Sequence, residues 1–314
     1  YVVFYPLVRE GTKRGKELLS SGGGRIFDQT DQNRVDPENG KVATGAAGAL
    51  IGAPLGAAAG GAFSAEVIYN ENFAGQSGKG VSGTTSNLGG VDWSISVSYA
   101  DLRNRYDYIK VGGSSGSEVM YVKDLKGYAY WYSPTVDISN HSEVRVYLKA
   151  KTVGNNHSSS DYFKTYYRIN NGSWTTVESN GNLTGNFGEK WPQHDNLNGN
   201  TLQIRVKVKN NNDEDDKFTF DNITMEGVYE ETFTNASGND QWGTASNWSS
   251  GSVPSSSYNV TISSGQTIEV GNSTVAVANN LTIDSGGSLT IAKNSDLTLS
   301  GNFTNNGTVT LNSD

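Results

Sequence analysis

Two stretches of this sequence, VRVYLKAKT at 144–152 and LQIRVKVK at 202–209, alternate apolar and polar residues one by one. A period of two is the spacing of a β-strand with one face in a core and the other in water, and it does not fit a helix with 3.6 residues per turn. Between Glu66 and Val228 further short β-type runs follow one another, among them 93–99, 106–111, 117–122, 129–133, 162–169, 174–178 and 217–225. Turn residues divide them. No helical period intervenes, so residues 66–228 are expected to form an antiparallel, jelly-roll-like sandwich of two sheets. Asn170–Asn171–Gly172–Ser173 predicts a hairpin turn, because Asn-Gly tolerates the positive φ such a turn needs.

After a connector at 229–257, which carries Trp242 and Trp248, a second pattern begins at Tyr258. Leu281, Leu289 and Leu297 recur every eight residues, each opening an apolar–Thr–apolar triplet closed by Gly or Asn. Short repeats of this kind predict the stacked rungs of a β-solenoid over 258–314. Read with one repeat per rung, Thr282, Thr290 and Thr298 stack on a single outer face. Tyr1 is not Met and Val309 to Asp314 lie inside the repeat, so the chain reads as a fragment with more rungs to follow.

Composition narrows the chemistry. The 314 residues include 38 Gly, 16 Tyr and 6 Trp but no Cys, which excludes disulfides, thiolate metal sites and a Cys nucleophile. The net charge of −8 argues against nucleic acid as a partner. The three histidines, His141, His157 and His194, stand far apart in polar sequence and read as solvated. No nucleophile-elbow, paired-His metal or phosphate-loop motif occurs. The chain therefore reads as non-catalytic.

Residues 1–65 form a separate leader. Within it, VATGAAGALIGAPLGAAAGGAF at 42–63 carries no charge, and Gly48, Gly52, Gly56 and Gly60 are spaced four apart. On a helix that spacing makes a smooth stripe suited to helix packing in a membrane, and the stretch has the length to span one. Pro54 breaks the helical ladder in its middle. A flexible linker, a targeting segment and a membrane-inserting helix all remain open for it.

YNENFAG at 69–75, YAYWYSPTVDIS at 128–139, INNGSW at 169–174 and FTFDNITMEG at 218–227 together resemble the jelly-roll modules of large secreted Bacteroidota proteins. The stretch WGTASNWSSGSVPSSSYNVTISSGQTIEV resembles the start of β-helical segments in the same proteins. The resemblance covers roughly 66–314. It implies export by the type IX machinery, a secreted or cell-surface location, and an adhesin-like role. It also implies a structural calcium held between the first and last sandwich strands, at the matching positions Glu71 and Asp221. Independently, the run Asp213–Glu214–Asp215–Asp216 offers the clustered oxygens a hard cation takes.

Aromatic residues are the other candidate site. Trp131 with Tyr128, Tyr130 and Tyr132, and Trp174 near Tyr166 and Tyr167, are expected to offer a stacking platform for a glycan, with Trp131, Tyr132 and Trp174 as its centre. Alternation sends half of such residues into the core instead. Three functions follow as expectations. The first is a binding or adhesive segment that contacts a glycan or surface polymer, with the solenoid as a stalk. The second is the accessory region of a secreted hydrolase or nuclease. The third is insertion of 42–63 into a membrane or secretion channel.

Overall fold

The computed structural model describes Arg25–Ile26 and residues 65–210, 216–271 and 273–312. The glycine-striped stretch 42–63 and residues 213–215 of the acidic run lie outside the described residues. Two compact units divide the rest, one of residues 65–229 and one containing residues 230–312.

The first unit is all-β and antiparallel. Its main strands are β1 (Glu66–Glu71), β2 (Gly80–Ser82), β3 (Ser94–Tyr99), β4 (Tyr108–Gly112), β5 (Val119–Lys123), β6 (Tyr128–Tyr132), β7 (His141–Val153), β8 (Tyr162–Ile169), β9 (Gln193–Leu197), β10 (Thr201–Lys209) and β11, which begins at Lys217. One sheet runs β2–β4–β5–β11–β7–β9. In it β11 pairs with β5 at 218–220 and with β1 from Ile223 onward. The change of partner falls at Asn222, whose φ of 51° marks a break in the strand. The other sheet runs β3–β6–β10–β8.

Alternation decides what lies between the sheets. Ala129 and Trp131 of β6, Leu202, Ile204, Val206 and Val208 of β10, and Val144, Val146, Leu148 and Ala150 of β7 all point inward. The centre is aromatic. Phe73, Trp131 and Phe220 meet edge to face at 5.8–6.2 Å, and Phe163 joins Phe220 at 5.6 Å. Edge-to-face contacts of this kind add to the hydrophobic stabilisation that burial supplies. The hairpin after β8 forms with its turn one residue early. Asn170 and Asn171, with φ of 51° and 56°, take the two left-handed positions, and Gly172 does not.

The second unit is a three-sided coil of short parallel strands: β12 (Tyr258–Ile262), β13 (Thr267–Val270), β14 (Val275–Ala278), β15 (Leu281–Ile283), β16 (Ser288–Ile291), β17 (Asp296–Leu299), β18 (Phe303–Asn305) and β19 (Thr308–Leu311). The parallel ladders are β12–β15–β18, β13–β16–β19 and β14–β17. Val260 lies beside Leu281 and Leu281 beside Phe303, offsets of 21 and 22 residues. This corrects the reading of the eight-residue repeat. One repeat is one side of a coil, and three make a full turn. Thr282, Thr290 and Thr298 therefore occupy three different sides, and Thr282 stacks instead on Thr261 and Thr304.

The stretch around Trp242 and Trp248, expected as a connector, is part of this unit. Trp242 and Trp248, 0% and 2% exposed, pack with Phe233 at the end of the coil's apolar interior. Trp248 Nε1 donates to the Trp242 carbonyl at 2.8 Å. Coil proteins need such an end cap, because a terminal coil has no neighbour to cover its interior.

Candidate functional site

The outer face of the sheet β3–β6–β10–β8 gathers the aromatic residues that point away from the core. The β6 sequence YAYWY sends Ala129 and Trp131 inward and leaves Tyr128, Tyr130 and Tyr132 outside. On β10 the outward residues are Gln203, Arg205, Lys207 and Lys209; on β8 they include Tyr162, Lys164, Tyr166 and Arg168. Register sets them in rows. Tyr132 lies beside Arg205 and Arg205 beside Tyr166; Tyr130 lies beside Lys207 and Lys207 beside Lys164; Tyr128 lies beside Lys209 and Lys209 beside Tyr162.

Cations sit over the rings. The Lys207 ammonium is 4.0 Å from the Tyr128 ring centre, and Lys164 is 4.9 Å from that of Tyr162. The Arg205 guanidinium lies 4.4 Å from Trp174, 4.6 Å from Tyr166 and 4.9 Å from Tyr130. Arg168 approaches Trp174 to 4.7 Å and donates through Nε to Gln203 Oε1 at 2.9 Å. Each such contact is electrostatic attraction between a cation and the negative face of a ring. Tyr99 extends the face by stacking on Tyr128 at 4.7 Å. Burial pushes the Tyr162 phenol up to about 12, with Tyr128, Tyr130 and Tyr166 adding to the effect. Tyr166 is raised by the same cause.

Of the expected platform, the structure brings Tyr132 and Trp174 together, 5.9 Å apart, and corrects the third member. Trp131 is 0% exposed at the centre of the core, so its indole is unavailable to a ligand. Tyr167 also leaves the platform, packing its ring at 4.5 Å from His194. Sequence reasoning missed Arg168, Arg205 and Lys207, which lie over the rings and charge the face. The signal was present in LQIRVKVK, where outward positions alternate with core positions. Nothing in the sequence sets that strand between YAYWY and YFKTYYRI.

Glu71 and Asp221 lie on adjacent strands, offset diagonally, with Ile223 of β11 beside Glu71. Glu71 is buried, and its carboxylate accepts from Gln76 Nε2 at 3.0 and 3.1 Å and from the Phe73 backbone N–H. Burial raises the Asp221 carboxyl to about 6, and Glu71 pushes it the same way while Lys149 opposes. Asp221 Oδ1 is buried without a hydrogen-bond partner. A hard cation would satisfy that oxygen, so this residue fits calcium; Glu71 is already hydrogen-bonded but keeps free lone pairs. Among the described residues, no three His or acidic side chains group as a metal site. All three histidines depart from the solvated reading: His157 stacks 4.5 Å from Phe218 in a buried position, and the rings of His141 and His194 pack 5.1 and 4.5 Å from those of Tyr229 and Tyr167.

A family model described as Domain of unknown function (DUF8693) matches residues 232–314. No curated protein matches the chain. Among solved structures, the CBM22-1 xylan-binding domain from Paenibacillus barcinonensis Xyn10C is similar, with 12% identity, a TM-score of 0.30, and 54% of this chain and 98% of that one covered. The K3 cleaved adhesin domain of Lys-gingipain from Porphyromonas gingivalis is similar at 7% identity and a TM-score of 0.32, over 52% of this chain and 98% of that one. TmCBM61 in complex with β-1,4-galactotriose gives 13% identity and a TM-score of 0.31, over 42% and 86%. Likenesses at this level carry no argument about ligand or activity.

Proposed function

We propose that this chain is a non-catalytic binding segment of a secreted or cell-surface bacterial protein. Its sandwich takes a glycan along the outer face of β3–β6–β10–β8, and the parallel coil serves as a stalk. The observation that supports this reading is the in-register array of Tyr128, Tyr130, Tyr132, Tyr162 and Tyr166 with intervening Arg and Lys heads, joined by Trp174 against Tyr132. Phenol, guanidinium, ammonium and the Gln203 amide are the donors that sugar oxygens accept from. The nine residues of β10 extend about 30 Å, room for several sugar rings in a row. The side chains are held by one another before any ligand arrives, which limits the entropy lost on binding.

The test is affinity electrophoresis of the full chain through gels containing a panel of soluble polysaccharides. At least one should retard the chain, and Tyr130→Ala and Trp174→Ala should relieve the retardation with the fold intact. No retardation by any polymer would reject the reading. Glu71 and Asp221 are, on the same proposal, the residues that hold a structural calcium. Bound there, the ion would offset the charge of the two carboxylates and stabilise the folded state, to which alone it binds.

A further inference from the structure

We infer that the polymer this face takes is an anionic polysaccharide, recognised by a lattice of Arg and Lys heads and not by stacking on bare rings. The inference rests on the sheet-face reading above and names the ligand's charge.

The charge distribution carries it. Strands β3, β6, β8 and β10 together contain Lys164, Arg168, Arg205, Lys207 and Lys209 and no Asp or Glu. The whole chain has 32 acidic and 24 basic residues, so a face with five cations, against the carboxylate of Asp137 beside Thr201 at the start of β10, runs against the composition. Among the described residues, none of these five forms a salt bridge, although Arg145, Lys149 and Lys126 elsewhere do. Arg205 is the sharpest case. Its Nε is buried without a hydrogen-bond partner, and its guanidinium rests on three aromatic rings.

The geometry of the rings points the same way. A neutral sugar is held mainly by the open face of an aromatic ring. Here cations lie over Tyr128, Tyr130, Tyr162, Tyr166 and Trp174, and Tyr99 and Tyr128 cover one another. Ring faces used in this way fix the positions of the cations. Outward residues on one strand stand about 7 Å apart, and neighbouring strands about 4.8 Å, so Arg205, Lys207 and Lys209 form a row on β10 with Lys164 and Arg168 on the strand beside it. Such a row suits a polymer with repeated charges. Carboxylate and sulfate groups both take charge-assisted hydrogen bonds from Arg and Lys. Single-stranded nucleic acid shares the negative charge, but its proteins bind it by stacking bases on free aromatic faces, and five rings of this surface already carry a cation.

The experiment measures binding of the full chain by calorimetry to four probes: polygalacturonate, its fully methyl-esterified form, dextran sulfate and single-stranded DNA. We expect binding to polygalacturonate or dextran sulfate that weakens with added salt, and at least tenfold weaker binding to the esterified polymer. The probe preferred, carboxylated or sulfated, identifies the anionic group. The double variant Lys164→Gln, Lys207→Gln should lose about tenfold in affinity for that probe, while Lys110→Gln on the opposite sheet should lose none. The esterified polymer needs no variant, so the outcome stands even if the double variant fails to fold. Equal affinity for the free and esterified polymers would overturn the anionic inference and leave glycan binding at the face in place. Binding to none of the carbohydrates would overturn the anionic inference and leave the glycan reading to the polysaccharide panel above. Single-stranded DNA binding as tightly as the best polysaccharide would make the face a nucleic-acid surface and overturn both.

Discussion

At the residue scale, neighbours in sequence have opposite duties. Trp131 and Tyr132 are adjacent, yet one is the centre of the core and the other part of the outer face. Trp131→Ala would leave a cavity ringed by Phe73, Trp93 and Phe220. It should cost about 3–5 kcal/mol of stability in a denaturant titration. Trp174→Ala, on the surface, should change stability by less than about 1 kcal/mol and act on binding instead. The phenols give a pH prediction. Tyr162 is held up to about 12 by burial, so the folded chain keeps a proton that the unfolded chain gives up near pH 10. That contribution is complete below about pH 10 and is lost as pH rises from about 10 to about 12. In an ultraviolet titration of the native chain, part of the tyrosine signal should therefore appear late, and unfolding at pH 11 should release it at once.

At the element scale, the coil shows how a local pattern acquires meaning from stacking. Each apolar–Thr–apolar triplet gives two inward side chains, as Leu289 and Ile291 do. Corners close tightly between coils. A Cβ on Gly307 would lie 2.3 Å from the Gly287 carbonyl oxygen. A second corner is tied by asparagine: Asn280 Nδ2 donates to Asn259 Oδ1 at 2.8 Å, and Asn280 Oδ1 accepts from the Asn302 backbone at 2.6 Å. Asn280→Ala should remove one amide link in each direction and cost about 1–2 kcal/mol. Hydrogen exchange would show this as lost protection at Leu281 and neighbouring coil amides. Unchanged protection there would mean that the apolar interior alone holds the corner.

At the scale of the whole molecule, there are two cores, one in each unit, and neither has a disulfide. A bound ion is then a means of stabilisation for the sandwich. If Glu71 and Asp221 hold calcium, excess calcium over chelator should raise the melting temperature of the full chain by several degrees, since saturation a hundredfold above Kd adds about 2.7 kcal/mol. Asp221→Asn should abolish the difference. A melting temperature indifferent to chelator would remove calcium from the account and leave Asp221 Oδ1 as a buried oxygen of another kind. Charge is also arranged at this scale: the face is basic while the chain as a whole is acidic.

The sequence by itself determined the strand class, because a two-residue alternation permits only one backbone period, and it determined which side chains of each strand share a face. VRVYLKAKT and LQIRVKVK could be read in this way, as could the inward pairs of the coil triplets. Tertiary structure alone decided which strands are neighbours. Pairing through backbone hydrogen bonds is nearly indifferent to side-chain identity, so no local pattern announces that Arg205 lies between Tyr132 and Tyr166. It also decided which face of YAYWY is buried, since either face of that strand is aromatic enough to form a core. The same limit hid the period of the coil. Eight residues repeat along the chain, but about 21 separate stacked neighbours, and only closure of the three-sided turn converts one into the other.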